Sequence, residues 1–261
     1  MSGTDWNAAA YDDLSDPMFE WGKAVLSTVS PRPDERVLDA GCGSGRLTRE
    51  LLAKVPQGVV VALDASPKML EQARKNLAEF GGRVKFVEAS LQDFRLQQPV
   101  DGIFSNAVFH WVPDHAEMFR SLYAALKPAG WLVAQFGGVG NLARFTARAY
   151  AIAEQPPFRE FVAETRASHH FENAEDTRQR MESAGFVVRE ARLHTVMPHF
   201  ERRERFEAFV ATVILRQVVV LLPEEELRHG FLRAVSAATL RDEGAYDFDY
   251  VRLTVSAYRP R

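Results

Sequence analysis

The sequence predicts an α/β fold, a doubly wound and mostly parallel sheet of seven strands carrying helical insertions. Three observations lead there. Between Glu35 and Phe136, short β-rich apolar runs alternate with amphipathic helical patterns, the signature of parallel strands joined by crossover helices. A glycine turn, Gly41-Cys42-Gly43-Ser44-Gly45, follows the first run and opens the first helix. Two more strand-like runs come later, separated by long helical stretches.

In order, the strand candidates are Val37-Leu38-Asp39, Val59 to Asp64, Val84 to Glu88, Val100 to Asn106, Trp131 to Phe136, Phe186 to Met197 and Tyr250 to Tyr258. In the last, Val251, Leu253 and Val255 alternate with Arg252, Thr254 and Ser256, which predicts apolar residues inward and polar ones outward. After the glycines, Leu47, Leu51 and Val55 recur at four-residue spacing and mark a helix face. Ser66-Pro67 reads as an N-cap with proline at the first helical position, followed by the buried stripe Met69, Ala73 and Leu77. Asp114 and Glu117 form a capping box ahead of Met118, Leu122 and Leu126, and Lys127-Pro128-Ala129-Gly130 stops that helix. Gly137 to Asn141 is a loop into helical material from Ala143 to Ser183, and Gly185 is a helix C-cap. Phe209 to Leu222 is too short for a bilayer and carries Arg216, so a buried helix is expected there. The organisation expected is a single domain over 1–261, with an N-terminal cap segment at 1–30, a core at 31–137, a helical lid at 141–183 and a second helical insertion at 200–245.

Composition limits the function classes. The 261 residues are 46% hydrophobic and 26% charged, with a net charge of -3, which excludes a disordered chain and argues against nucleic acid as the main partner. No basic flank and apolar run opens the chain, so a cytoplasmic location without membrane contact is expected. The single Cys42 cannot form an internal disulfide, and the seven histidines make no compact set with carboxylates, so no metal is expected.

The glycine turn narrows the chemistry. A dinucleotide fingerprint needs glycine or alanine where this chain has Arg46, and a phosphate-cradling loop needs a Gly-Lys-Ser/Thr that is missing. Asp64, ending the second strand, sits near the spacing at which an acid accepts hydrogen bonds from ribose hydroxyls. A ribose-bearing ligand across the strand ends is expected.

The turn, together with Val61 to Leu70, Phe86 to Phe94, Val100 to His115 and Leu126 to Gly130, resembles the class I S-adenosylmethionine-dependent methyltransferases, and within them the trans-aconitate methyltransferase-like group acting on small molecules. The resemblance covers roughly the first half of the chain. It implies a Rossmann-like sheet with an antiparallel C-terminal strand, and S-adenosylmethionine as cofactor. Gly41, Gly43 and Gly45 would pass beside its methionine portion, with Asp39 near the ammonium group. Asp64 would hold the ribose, Ala65 and Met69 would pack on the adenine, and Ser90 and Leu91 would meet its amino group. Serine replaces the family's usual acid at that position, so weaker cofactor affinity is expected. Asn106 and Ala107 would line the site beside the sulfonium, Trp111 would pack on cofactor or substrate, and Trp6 and Tyr11 belong to the segment that covers the cofactor.

The acceptor is expected to be a small molecule, methylated on oxygen, a carboxylate among the candidates. A carboxylate is already ionised near neutral pH, whereas an alcohol or ammonium must lose a proton. His110 is the best base candidate, with positioning of an acidic acceptor as the alternative. Trp6, Phe136, Tyr150 and His169, with His110, are candidates for the acceptor pocket. N- or C-methylation, a non-catalytic cofactor-binding module and a nicotinamide dehydrogenase, the last disfavoured by Arg46, stay open. A monomer or weak homodimer is expected.

Overall fold

The computed structural model describes residues 16–162 and 169–261; Trp6 and Tyr11 lie outside them. Seven strands, β1 (Arg36–Ala40), β2 (Val59–Asp64), β3 (Val84–Glu88), β4 (Val100–Asn106), β5 (Leu126–Gly137), β6 (Val187–Val196) and β7 (Tyr250–Tyr258), form one sheet in the order β3-β2-β1-β4-β5-β7-β6. The first five pair in parallel, and β7 runs antiparallel between β5 and β6. The seven expected runs all become strands of this sheet.

Period-two alternation divides the core between two faces. Val37, Val60, Ala62 and Phe104 pack beneath α1 (Asp16–Ser27), α2 (Arg46–Lys54) and α3 (Pro67–Asn76) through Val25, Leu26, Leu51, Leu70 and Ala73. Leu38, Leu63, Ile103, Leu132 and Leu253 pack on the other side against α4 (His115–Ala125). Capping follows the sequence closely. Ser66 Oγ accepts from Met69 N at 3.2 Å, and Asp114 Oδ1 accepts from Glu117 N at 2.9 Å.

Beyond β5 come α5 (Ala143–Ala153), α6 (Arg159–Val162) and α7 (Ala174–Ser183), then α8 (Arg203–Phe209), α9 (Arg216–Val219) and α10 (Glu225–Glu243) between β6 and β7. Two expectations change here. First, α7 falls within the expected lid but packs on the sheet, because Met181 is fully buried in the core cluster that contains Phe186 and Leu253. Second, Phe209–Leu222 is not one buried helix; α8 passes into a π-type turn, Val210–Ile214, and the chain restarts as the single turn α9.

The remaining helices of both insertions form one cap with its own core. Phe248 lies at the centre, stacked on Phe206 (4.8 Å, 17°) and edge-on to Phe145 (4.8 Å, 70°). Arg148 of α5 ties to Asp242 at 2.8 Å and Glu243 at 2.7 Å on α10. Leu142, at the start of α5, sits at φ 56 and gives the helix no side-chain cap; Asp249, just before β7, replaces it by accepting from Arg144 N at 2.7 Å and Phe145 N at 3.2 Å. The cap is therefore anchored to β7.

Candidate active site at the strand ends

The strand order reverses between β1 and β4, and loops leaving neighbouring strands there diverge and open a crevice. A cavity of about 620 Å³ occupies it. Its wall includes Gly41, Gly43, Asp64, Ala65 and Met69 after β1 and β2, and Ser90, Leu91 and Gln92 after β3. Asn106, Ala107, His110 and Trp111 come from the end of β4, and His169 from the segment before α7. The cap contributes Leu142, Thr146, Val213, Ile214 and Arg216, and β7 contributes Tyr250 and Arg252.

Asp64 ties two of these loops together. Its Oδ2 accepts from Gly43 N at 2.8 Å and its Oδ1 from Ser66 N at 2.9 Å, so the carboxylate is fixed at the cavity wall. Gly43, at φ 55, has open space where a side chain would start, which leaves the wall clear beside it. Gly45 has another task and lines neither chamber: a Cβ there would stand 2.7 Å from Leu77 Cδ1, so it serves the contact between α2 and the end of α3. Ser90 Oγ accepts from Gln92 N at 3.2 Å, which shapes the turn after β3.

A side chamber of about 80 Å³ opens beside the glycine turn, lined in part by Asp39, Arg46, Asn106 and Ala107. Asp39 is 3% exposed, and burial raises its pKa to about 7 despite a 2.6 Å bond from Thr48 Oγ1. Asn106 donates from Nδ2 to Met18 O at 3.2 Å, while its buried Oδ1 has no hydrogen-bond partner among the described residues. Asp39, Asn106 and Arg46 line one small chamber, a residue set whose chemistry complements a zwitterionic amino acid. Ala107 holds φ 60, where an L-residue is strained by roughly 1–2 kcal/mol, and donates to Gln135 O at 2.7 Å. Such strain clusters at functional positions.

The other end of the cavity is set by His110 and Arg252. His110 is 8% exposed, and Gly137 N donates to its Nδ1 at 3.2 Å. Burial, with the nearby Arg252, lowers its pKa well below the ordinary histidine value, so the ring is neutral and its proton sits on Nε2. The ring offers a donor there. His169 stacks on Phe171 (5.0 Å, 5°) and stands 4.3 Å from Trp111; burial lowers its pKa to about 4. Cys42 is buried and its thiol is pushed up by burial, so it stays protonated. Among the described residues no group of three histidine, cysteine or acidic side chains could hold a metal ion, and no helix of the described residues is long and apolar enough to cross a membrane.

A family model described as a methyltransferase domain matches residues 37–130, the stretch that builds the glycine turn and the ends of β1 to β4. Those residues thus resemble a methyltransferase domain. The trans-aconitate 2-methyltransferase of Methylobacterium nodulans is 34% identical over 165 residues, covering 63% of this chain and 62% of that relative. The chain thus spans less than two thirds of that relative's length. Among solved structures, the Haemonchus contortus phosphoethanolamine N-methyltransferase 2 in complex with S-adenosyl-L-methionine superposes with a TM-score of 0.64 at 19% identity, over 97% of this chain and 57% of that one. The [4+2]-cyclase SpnF shares the fold as well, at a TM-score of 0.61 and 15% identity, over 93% of this chain and 80% of that one. These two likenesses speak to the fold alone.

Most residues singled out within 37–130 line the large cavity or its side chamber; Gly45 does not. Two acceptor-pocket candidates also fall elsewhere. Phe136 is fully buried against Phe109 (5.1 Å) and His115 (6.1 Å) and does not line the cavity, and Tyr150 packs against the core of the cap. Arg252 is the residue that alternation misassigned. It was expected outward and is 2% exposed, because β7 is an interior strand with both faces covered. A sheet with helices on both sides offers no wet face for its polar positions, and that signal was available in the predicted fold.

Proposed function

We propose that the chain transfers a methyl group from S-adenosylmethionine to a carboxylate oxygen of a small molecule. The cofactor's amino-acid end fits the side chamber: Asp39 and the Asn106 Oδ1 accept from its ammonium group, and Arg46 faces its carboxylate. Asp64 accepts from the ribose hydroxyls, and Ala65, Met69 and Leu91 flank the adenine. When bound, the cofactor supplies an electrophilic methyl group on a sulfonium. The chain's own work is alignment, worth up to about 7–11 kcal/mol in favourable cases, and exclusion of water by the cap.

The observation that carries the acceptor assignment is the hydrogen bond from Gly137 N to His110 Nδ1. A neutral imidazole with that nitrogen occupied carries its proton on Nε2 and has no lone pair to take up another. His110 therefore orients an acceptor that is already an anion; it does not deprotonate one. A carboxylate meets that condition at neutral pH.

Trideuteromethyl-labelled cofactor incubated with a set of carboxylic acids, alcohols, phenols and amines, read by mass spectrometry, tests this reading. Labelled methyl esters are expected, with a kcat that is flat through the neutral range. Label found only on alcohols, phenols or amines would overturn the carboxylate assignment.

A further inference from the structure

We propose that the acceptor is an amphipathic monocarboxylic acid, its carboxylate held by Arg252 and its apolar body laid against the helical cap. This rests on the carboxylate reading above and narrows its substrate class. It departs from the tricarboxylate that the curated relative's name indicates for that protein.

Arg252 is a guanidinium at a cavity wall, 2% exposed and held from two sides. Its Nε donates to Gln135 Oε1 at 3.4 Å, and its guanidinium lies 5.6 Å from the centre of the Trp21 ring. Gln135 is fixed in turn by donating to Thr254 Oγ1 at 3.1 Å. Such a side chain loses little freedom on binding and presents a planar donor fork suited to a carboxylate. It lines the same cavity as His110, and its charge helps to keep that ring neutral, so a carboxylate between them would meet a cation and a neutral N–H donor.

The wall that the cap turns toward this spot is of another kind. Leu142, Val213 and Ile214 reach the cavity because α5 begins just after Leu142 and the chain bends through the π-type turn, and Thr146 beside them donates its hydroxyl to Leu142 O at 2.7 Å. They offer an acceptor's body apolar surface and no hydrogen bond to replace lost water. Arg216, half-buried two residues beyond Ile214, is the other arginine among the described lining residues, so a tricarboxylate would press at least one charge onto apolar side chains.

Decanoate, 4-phenylbutanoate, trans-aconitate and propane-1,2,3-tricarboxylate, each incubated with the full chain and S-adenosylmethionine and read as methyl ester, test the proposal. The two apolar acids are expected to exceed both tricarboxylates in kcat/KM by at least about tenfold. Arg252→Met is expected to raise the KM for decanoate roughly 100-fold while the Kd for S-adenosylmethionine is unchanged, and Arg252→Lys to recover part of the loss. Ile214→Asp should lower kcat/KM for decanoate more than for trans-aconitate. If Arg252→Met fails to fold, the wild-type preference and the Ile214→Asp contrast decide. Preference for a tricarboxylate, or an unchanged decanoate KM in folded Arg252→Met, overturns the proposal. Esters of trans-aconitate without esters of the apolar acids overturn it and leave the carboxylate reading standing. No ester from any acid, with the cofactor bound, overturns both.

Discussion

In the proposed site Asp39 should make cofactor binding depend on pH, with a direction and size set by its burial. Its carboxyl is raised to about 7 by desolvation, so the unliganded chain holds it half-protonated at neutral pH. In the proposed site the cofactor's ammonium group needs the ionised form. From about pH 8 to about pH 5.5 the ionised fraction falls from roughly nine-tenths to roughly 3%, a loss of about 30-fold in affinity or ~2 kcal/mol. Calorimetry with S-adenosylhomocysteine across that range should show the fall in the wild type. Asp39→Asn should bind weakly and evenly throughout. Stability should move the other way. A carboxyl whose folded value lies above the ordinary 3.8 favours the folded chain fully below that value, and the advantage is lost as pH rises through about 7. The buried carboxylate then costs up to about 4 kcal/mol at pH 8, so unliganded Asp39→Asn should melt several degrees above the wild type there and close to it near pH 4. An affinity that is flat from pH 5.5 to 8, or an identical slope in Asp39→Asn, would refute the reasoning.

Four further outcomes follow from the same geometry. Asp64→Ala removes the acceptor for Gly43 N and Ser66 N as well as the proposed ribose contact, and should weaken S-adenosylhomocysteine by about 100-fold, measured by calorimetry. His110→Ala removes a neutral donor and should lower kcat/KM by roughly 10–100-fold without introducing an inflection in the pH profile of kcat; a loss near 10⁴-fold with such an inflection would restore the base. Phe248→Ala, at the centre of the cap, should cost about 3–5 kcal/mol in denaturant unfolding. Asp249→Ala uncaps α5 and should cost about 1 kcal/mol, with amide exchange accelerated first at Arg144 and Phe145.

The loops that form the proposed cofactor end were legible in the sequence because their determinants are local. The glycine turn, Asp64 and the Ser66-Pro67 cap lie within one β-α-β stretch, where strand ends and helix starts have their own residue signatures. The acceptor end was not, because it is assembled from segments far apart in the chain. Leu142, Ile214 and Arg252 meet only after the two insertions condense around Phe248, and no periodicity within one segment encodes that meeting. Alternation placed Arg252 outward, and Phe136 was expected at the pocket. The sheet's two covered faces explain the first error, and the packing of Phe136 on Phe109 and His115 explains the second.

Isothermal titration of the full chain with S-adenosylmethionine, S-adenosylhomocysteine and NAD tests the central claim most directly. The account predicts one site for each of the first two, weakened in Asp64→Ala, and no heat with NAD. Binding of NAD by a well-folded chain that takes up neither S-adenosyl compound would contradict it.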